Sequence, residues 1–75
     1  EVYYSARADE YILYFGAYYP YHDFTVVIPG PIARKFSYRP ERYFTSTYVM
    51  VTGLVTMYDG IPEIYLHRTY QIKLY

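Results

Sequence analysis

The chain has no cysteine, which excludes a disulfide framework, a thiolate nucleophile and a cysteine-ligated zinc site. It holds only two histidines, whereas a zinc site needs three or four converging ligands. His22, next to Asp23, and His67 are therefore expected to be ordinary surface or sheet residues. No apolar run approaches the ~20 residues of a membrane span. There is no net charge, with seven Lys plus Arg against seven Asp plus Glu. Phosphate neutralisation dominates non-specific nucleic-acid affinity, so a neutral chain starts at a disadvantage there. The same neutrality removes the repulsion that keeps small proteins apart, so self-association is easy. Four scattered glycines build no phosphate-cradling loop. Ser5, Ser37 and Ser46 lack an elbow motif or a nearby histidine, so no hydrolase triad is supported. No metal, no cofactor and no catalytic residue is expected, and the chain is read as a non-enzyme.

What is present is tyrosine. Fourteen of the 75 residues are Tyr, a side chain that offers apolar area with a wet hydroxyl end and suits interfaces and half-exposed sheets. Hydrophobic residues make up 53% of the chain and charged ones 19%, a balance that argues for one folded domain rather than a disordered segment.

Tyr48 to Leu66 is the organising stretch. Asp59-Gly60 between two alternating runs signals a type I′ hairpin, because that turn needs φ > 0 twice. Counting outward from Tyr58 opposite Ile61 predicts one apolar face, with Met57 opposite Pro62, Val55 opposite Ile64 and Gly53 opposite Leu66. The mixed face pairs Thr56 with Glu63, Leu54 with Tyr65, and Thr52 with His67. Val49, Val51, Val55, Met57, Ile64 and Leu66 are then the expected core set.

Elsewhere, Glu1 to Ala6 reads as the end of a strand and Arg7 to Asp9 as a turn. Glu10 to Phe15 is a strand, with Tyr11, Leu13 and Phe15 on one face and Ile12 and Tyr14 on the other. Gly16 ends it. Ala17 to Asp23 is a loop carrying Tyr18, Tyr19 and Tyr21 around Pro20. Phe24 to Ile28 is a further strand, with Phe24, Val26 and Ile28 facing opposite to Thr25 and Val27. Pro29-Gly30-Pro31 stops it. Ile32 and Phe36 lie four apart behind Pro31, which suits a first helical turn, and Pro40 to Phe44 forms a second short one. Thr45-Ser46-Thr47 links into the hairpin. His67 to Tyr70 bends the chain, and Gln71 to Tyr75 alternates again with Ile72 and Leu74 inward. The predicted class is all-β, mostly antiparallel, with one short helical insert.

That order matches an OB-fold barrel, in which a helix sits between the third and fourth of five strands. Tyr11-Ile12-Leu13-Tyr14-Phe15-Gly16, Tyr19-Pro20 and Asp23-Phe24-Thr25-Val26-Val27-Ile28 resemble small bacterial OB-fold domains, many of them uncharacterised exported proteins. So do Pro40-Glu41-Arg42-Tyr43, Val49-Met50-Val51-Thr52-Gly53-Leu54-Val55, Tyr58-Asp59-Gly60-Ile61-Pro62-Glu63-Ile64 and Gln71-Ile72. The resemblance implies a five-stranded OB-like Greek-key barrel over residues 1–75. Two departures stand out. Similar sequences carry a small polar residue at the position of Tyr14, and their first strand begins well before the position of Glu1. The missing half-strand either lies upstream or is supplied by a neighbouring molecule. No compartment is read from the residues; the resemblance implies an exported location, and a removed export signal would explain a start at Glu1 rather than Met.

The ligand implied by the resemblance is single-stranded nucleic acid or another oligomer, lying over strands two and three. Candidate ligand-binding residues are Tyr11, Tyr14, Tyr18, Tyr19, Tyr21 and Tyr58, since each stacked base contributes ~1–3 kcal/mol. Arg34, Lys35, Arg39 and Arg42 form one basic patch with Glu41 as the local acid, expected to be a solvated surface rather than a phosphate track. The alternative is a structural protein that self-assembles, as a homo-oligomer, through strand complementation and tyrosine-rich interfaces.

Overall fold

The computed structural model describes residues 1–45 and 47–75. The expectations placed on Ser46 lie outside the described residues. Among the described residues, seven strands and two four-residue helices follow one another: β1 (Val2–Ser5), β2 (Glu10–Phe15), β3 (Phe24–Pro29), α1 (Gly30–Ala33), α2 (Pro40–Tyr43), β4 (Val49–Val51), β5 (Val55–Tyr58), β6 (Ile61–Tyr65) and β7 (Ile72–Leu74), with a 3-10 turn at Thr69–Gln71. Five strands form one sheet in the order β1-β2-β3-β6-β5, and β4 pairs with β7 in a second. All pairings are antiparallel except β3 with β6. The protein is mostly β with a short helical insert between the third and fourth strands, as the sequence order predicts.

Local chemistry makes each turn. Asp9 and Asp59 take φ of 55° and 54° and Gly60 takes 81°, the left-handed conformations that Asp and Gly tolerate best. The hairpin tip keeps the counted register from Tyr58 opposite Ile61 to Val55 opposite Ile64. Pro62 costs no ladder bond, because the parallel pairing with β3 begins one residue later, at Glu63 opposite Thr25.

The core follows from the ladder. Leu13, Val26 and Ile64 lie side by side across β2, β3 and β6 and are buried together with Ile28, Ala33, Phe44, Leu66 and Ile72. β3 is the central strand, and Thr25, Val26, Val27 and Ile28 are all buried, with Val26 and Ile28 in the core cluster. The two helices bring up an aromatic plug: Tyr38 lies 3.7 Å from Tyr43 and 5.0 Å from Phe36, ring centre to ring centre. Phe36, Tyr38 and Tyr43 pack against the buried set.

Three expectations need correction. The hairpin ladder stops at Val55, so Gly53–Leu66, Leu54–Tyr65 and Thr52–His67 are not strand pairs; the arm breaks at Thr52–Leu54 and its first half, β4, pairs with β7 instead. The break has a steric cause. A Cβ on Gly53 would stand 2.8 Å from Ile64 Cγ2 and 2.9 Å from Gln71 Nε2, so the backbone passes too close to both for a regular ladder. Second, Val55 and Met57 are 52% and 66% exposed rather than core, because β5 is an edge strand with no layer over that face. Third, Leu74 is exposed at the end of β7, while Ile72 is buried as expected.

Candidate ligand-binding site

Strand alternation sends Glu10, Ile12 and Tyr14 to the face of β2 opposite Leu13. The register extends that face across the sheet. Tyr14, Thr25 and Glu63 form one row, and Ile12, Val27 and Tyr65 the next. Because β3 and β6 run parallel, the β2–β3 loop and the tip of the β5–β6 hairpin stand at the same end of this face, bringing Tyr19 and His22 from one and Tyr58 and Asp59 from the other. Together they enclose a cavity of about 430 Å³, within the usual range for small-molecule sites.

The loop wall is held by backbone contacts. Asp23 N–H donates to the Phe15 carbonyl at 2.8 Å, and Tyr21 N–H to the Tyr18 carbonyl at 2.8 Å. Tyr19 N–H donates to the Glu1 carboxylate at 3.0 Å. Gly16 turns the chain at φ 98°, with the Asp23 carboxyl group lying where a side chain would stand. The aromatic rings form a continuous wall: His22 sits 4.5 Å from Tyr14, edge to face, and 5.6 Å from Tyr19, stacked, while Tyr14 and Tyr19 are 5.2 Å apart. His22 is only 9% exposed, and its Nδ1 has no hydrogen-bond partner among the described residues.

The electrostatics are one-sided. Glu10, Asp59 and Glu63 line the cavity, and no Lys or Arg does. The Tyr65 hydroxyl donates to Glu10 Oε2 at 3.2 Å, reaching across β3. Burial, reinforced by the nearby charge of Glu10, holds the Glu63 carboxyl above its usual range. Burial likewise raises Tyr14 and Tyr65, with Glu10 adding to the effect on Tyr65, so both hydroxyls are firmly protonated donors at neutral pH. Among the described residues, no three His, Asp or Glu side chains come together as a metal site.

Of the six tyrosines singled out by sequence, Tyr14, Tyr19 and Tyr58 meet in this cavity. Tyr11 turns to the opposite face, 4.7 Å from Tyr4, and packs against the core. Tyr18 lines a separate depression beside Glu1, Phe15 and Phe44, and Tyr21 is 80% exposed. The basic patch lies elsewhere. Arg34 pairs with Asp9 at 2.9 Å and Arg39 with Glu41 at 3.1 Å, while Lys35 and Arg42 are exposed. His67 is a surface residue, but His22 is buried, contrary to expectation, because Tyr14 and Tyr19 close over its ring. Sequence reasoning missed Glu10, His22, Glu63 and Tyr65 as lining residues. The period-two alternation of β2 and β6 carried the signal for both glutamates.

Comparison with family models, with curated proteins and with solved structures finds no match for this chain.

Proposed function

We propose that this protein is a non-catalytic binding module of OB-like architecture that holds a ligand on its tyrosine-rich face. The observation that carries this reading is the walled cavity over β2, β3 and β6, where Tyr14, Tyr19 and Tyr58 converge. The sheet order, with its helical insert after β3, supports the OB-like assignment. A lining with three carboxylates and no cation favours an oligomer without phosphate charge over single-stranded nucleic acid. The test is aromatic-region NMR with a panel of an oligothymidylate, a neutral oligosaccharide and a basic peptide. Shifts confined to Tyr14, Tyr19, Tyr58 and Tyr65 carry the reading. A panel that leaves those rings unmoved at low salt overturns it.

A second reading, self-assembly, rests on the edge strand. β5 ends the larger sheet, and its Val55 and Met57 are exposed. An apolar groove of about 200 Å³ between Phe15, Phe24, Val26, Val49, Val51 and Ile64 opens beside it. An unpaired strand edge next to an apolar groove is a template for a strand of a second copy, and zero net charge does nothing to oppose the encounter. Among the described residues no helix is long and apolar enough to cross a membrane.

A further inference from the structure

We infer that the cavity over β2, β3 and β6 is a receptor for a guanidinium group, presented by an arginine side chain of a peptide or by a free guanidino compound. This rests on the binding-module reading and specifies its ligand class.

Two independent features converge on it. The first is charge: Glu10 and Glu63 face the cavity from β2 and β6, Asp59 stands at the hairpin tip, and no cation of the chain neutralises them from within. Glu63 is only partly solvated, so its carboxylate gains more from a charged donor than a surface carboxylate would. The second is the wall itself. The tilted rings of Tyr14 and Tyr19, with Tyr58 also lining the cavity, supply aromatic surface for a planar cation. A guanidinium is weakly hydrated, stacks on such faces and carries a fork of donors that a carboxylate accepts in pairs. A compact ammonium satisfies only the charge. The spread of the carboxylates, which brings no three metal-ligating side chains together among the described residues, argues for a cation of molecular size over a bare metal ion.

The test is a calorimetric titration of the intact protein with tri-arginine amide, tri-citrulline amide and arginine amide at low salt. Citrulline keeps the shape of arginine and removes its charge. The expected result is binding of tri-arginine at least about tenfold tighter than tri-citrulline, with Glu63→Gln and Glu10→Gln each lowering tri-arginine affinity about tenfold, the scale of one charge-assisted hydrogen bond. Glu41→Gln removes the same charge outside the cavity and leaves the affinity unchanged. Equal binding of tri-arginine and tri-citrulline overturns the guanidinium assignment and leaves the binding module standing. Binding of neither, with the oligosaccharide or the oligothymidylate still shifting the cavity rings, overturns it too. If nothing in either panel binds, the module reading goes with it. Arginine amide separates the two sources: affinity close to that of the tripeptide identifies a free guanidino compound, and a large loss identifies a peptide. Thermal melts of both glutamine variants confirm that altered binding is not unfolding.

Discussion

Gln71 and Thr52 bind each other twice. The Thr52 N–H donates to the Gln71 carbonyl at 2.8 Å, and Gln71 Nε2 donates back to the Thr52 carbonyl at 3.0 Å. Gln71 Oε1 also accepts from the backbone N–H groups of His67 and Arg68, at 2.7 Å each. One amide therefore joins the broken hairpin arm to the bend that follows β6. Gln71→Ala removes three side-chain bonds and is expected to cost about 2–3 kcal/mol, read from urea unfolding. Gln71→Glu keeps both acceptor contacts and sets a carboxylate oxygen against the Thr52 carbonyl, so it is expected to be destabilising as well. An unchanged urea midpoint for the alanine variant would show that the clamp is incidental.

Gly30 abuts Asp9. Its N–H donates to the Asp9 carbonyl at 2.7 Å, and the Asp9 carboxyl group fills the space a side chain would take. That carboxylate cannot simply swing aside, being held by Arg34 at 2.9 and 3.2 Å and by the Tyr4 hydroxyl at 2.7 Å. Gly30→Ala is therefore expected to lower stability by about 1–3 kcal/mol and to release Asp9 from Arg34. The release is visible by NMR as a carboxyl pKa rising toward its ordinary value, since the hydrogen bonds from Arg34 and then Tyr4 are what hold it low. A depressed carboxyl pKa stabilises the fold above its unfolded value and loses that effect as pH falls through the folded one. The gap between parent and variant should thus narrow in strong acid by the part owed to the Asp9 charge, while the steric part persists.

Glu63 works in the opposite sense. Burial raises its carboxyl pKa, so folding disfavours its charged form, and the penalty is present above the folded pKa and relieved as pH falls through it. Glu63→Gln is expected to raise the thermal midpoint of the free protein at neutral pH while weakening cation binding. Tri-arginine affinity should also decline with acidification, beginning above the ordinary carboxyl value of 4.5. The other titratable groups around the cavity are Glu10 and Tyr14 on β2, Tyr65 on β6, Tyr19 and His22 on the loop, and Tyr58 and Asp59 at the tip. Repeating the pH series with Glu63→Gln isolates its share. A profile that survives the substitution intact assigns the dependence to one of those neighbours.

The exposed β5 edge gives a prediction about association. The double substitution Val55→Lys and Met57→Lys puts charge on an edge that lacks it and moves the net charge off zero. If copies join through this strand, light scattering at high concentration should show a larger particle for the parent and a monomer for the variant. A monomeric parent at every concentration rules the assembly out.

Legibility in the sequence divided by range. The Asp59-Gly60 turn and its first four pairs were readable because turn chemistry is local: two residues that accept positive φ, flanked by alternation. The same counting failed at Gly53, since what crowds that backbone is Gln71 and Ile64, side chains brought there by the fold. Tyr14 and Tyr19 were found from residue type and loop position. Glu10 and Glu63 were not paired, because they share a face only through the parallel alignment of β3 with β6, and no short window encodes a parallel register. His22 looked like a surface histidine for a related reason: its burial comes from rings on either side, not from its own neighbours in an apolar run.

The β3–β6 ladder is the only strand pairing among the described residues that joins the first half of the chain to the second. One wall of the cavity belongs to each half, with Glu10 and Tyr14 on the early side and Glu63 and Tyr65 on the late side. Neither half holds the site alone. Contacts between residues so distant in sequence are slow to form, and an occupant of the cavity would span them like a staple. A bound ligand should therefore slow the parting of the two halves, and protease nicking between them should fall as the site fills.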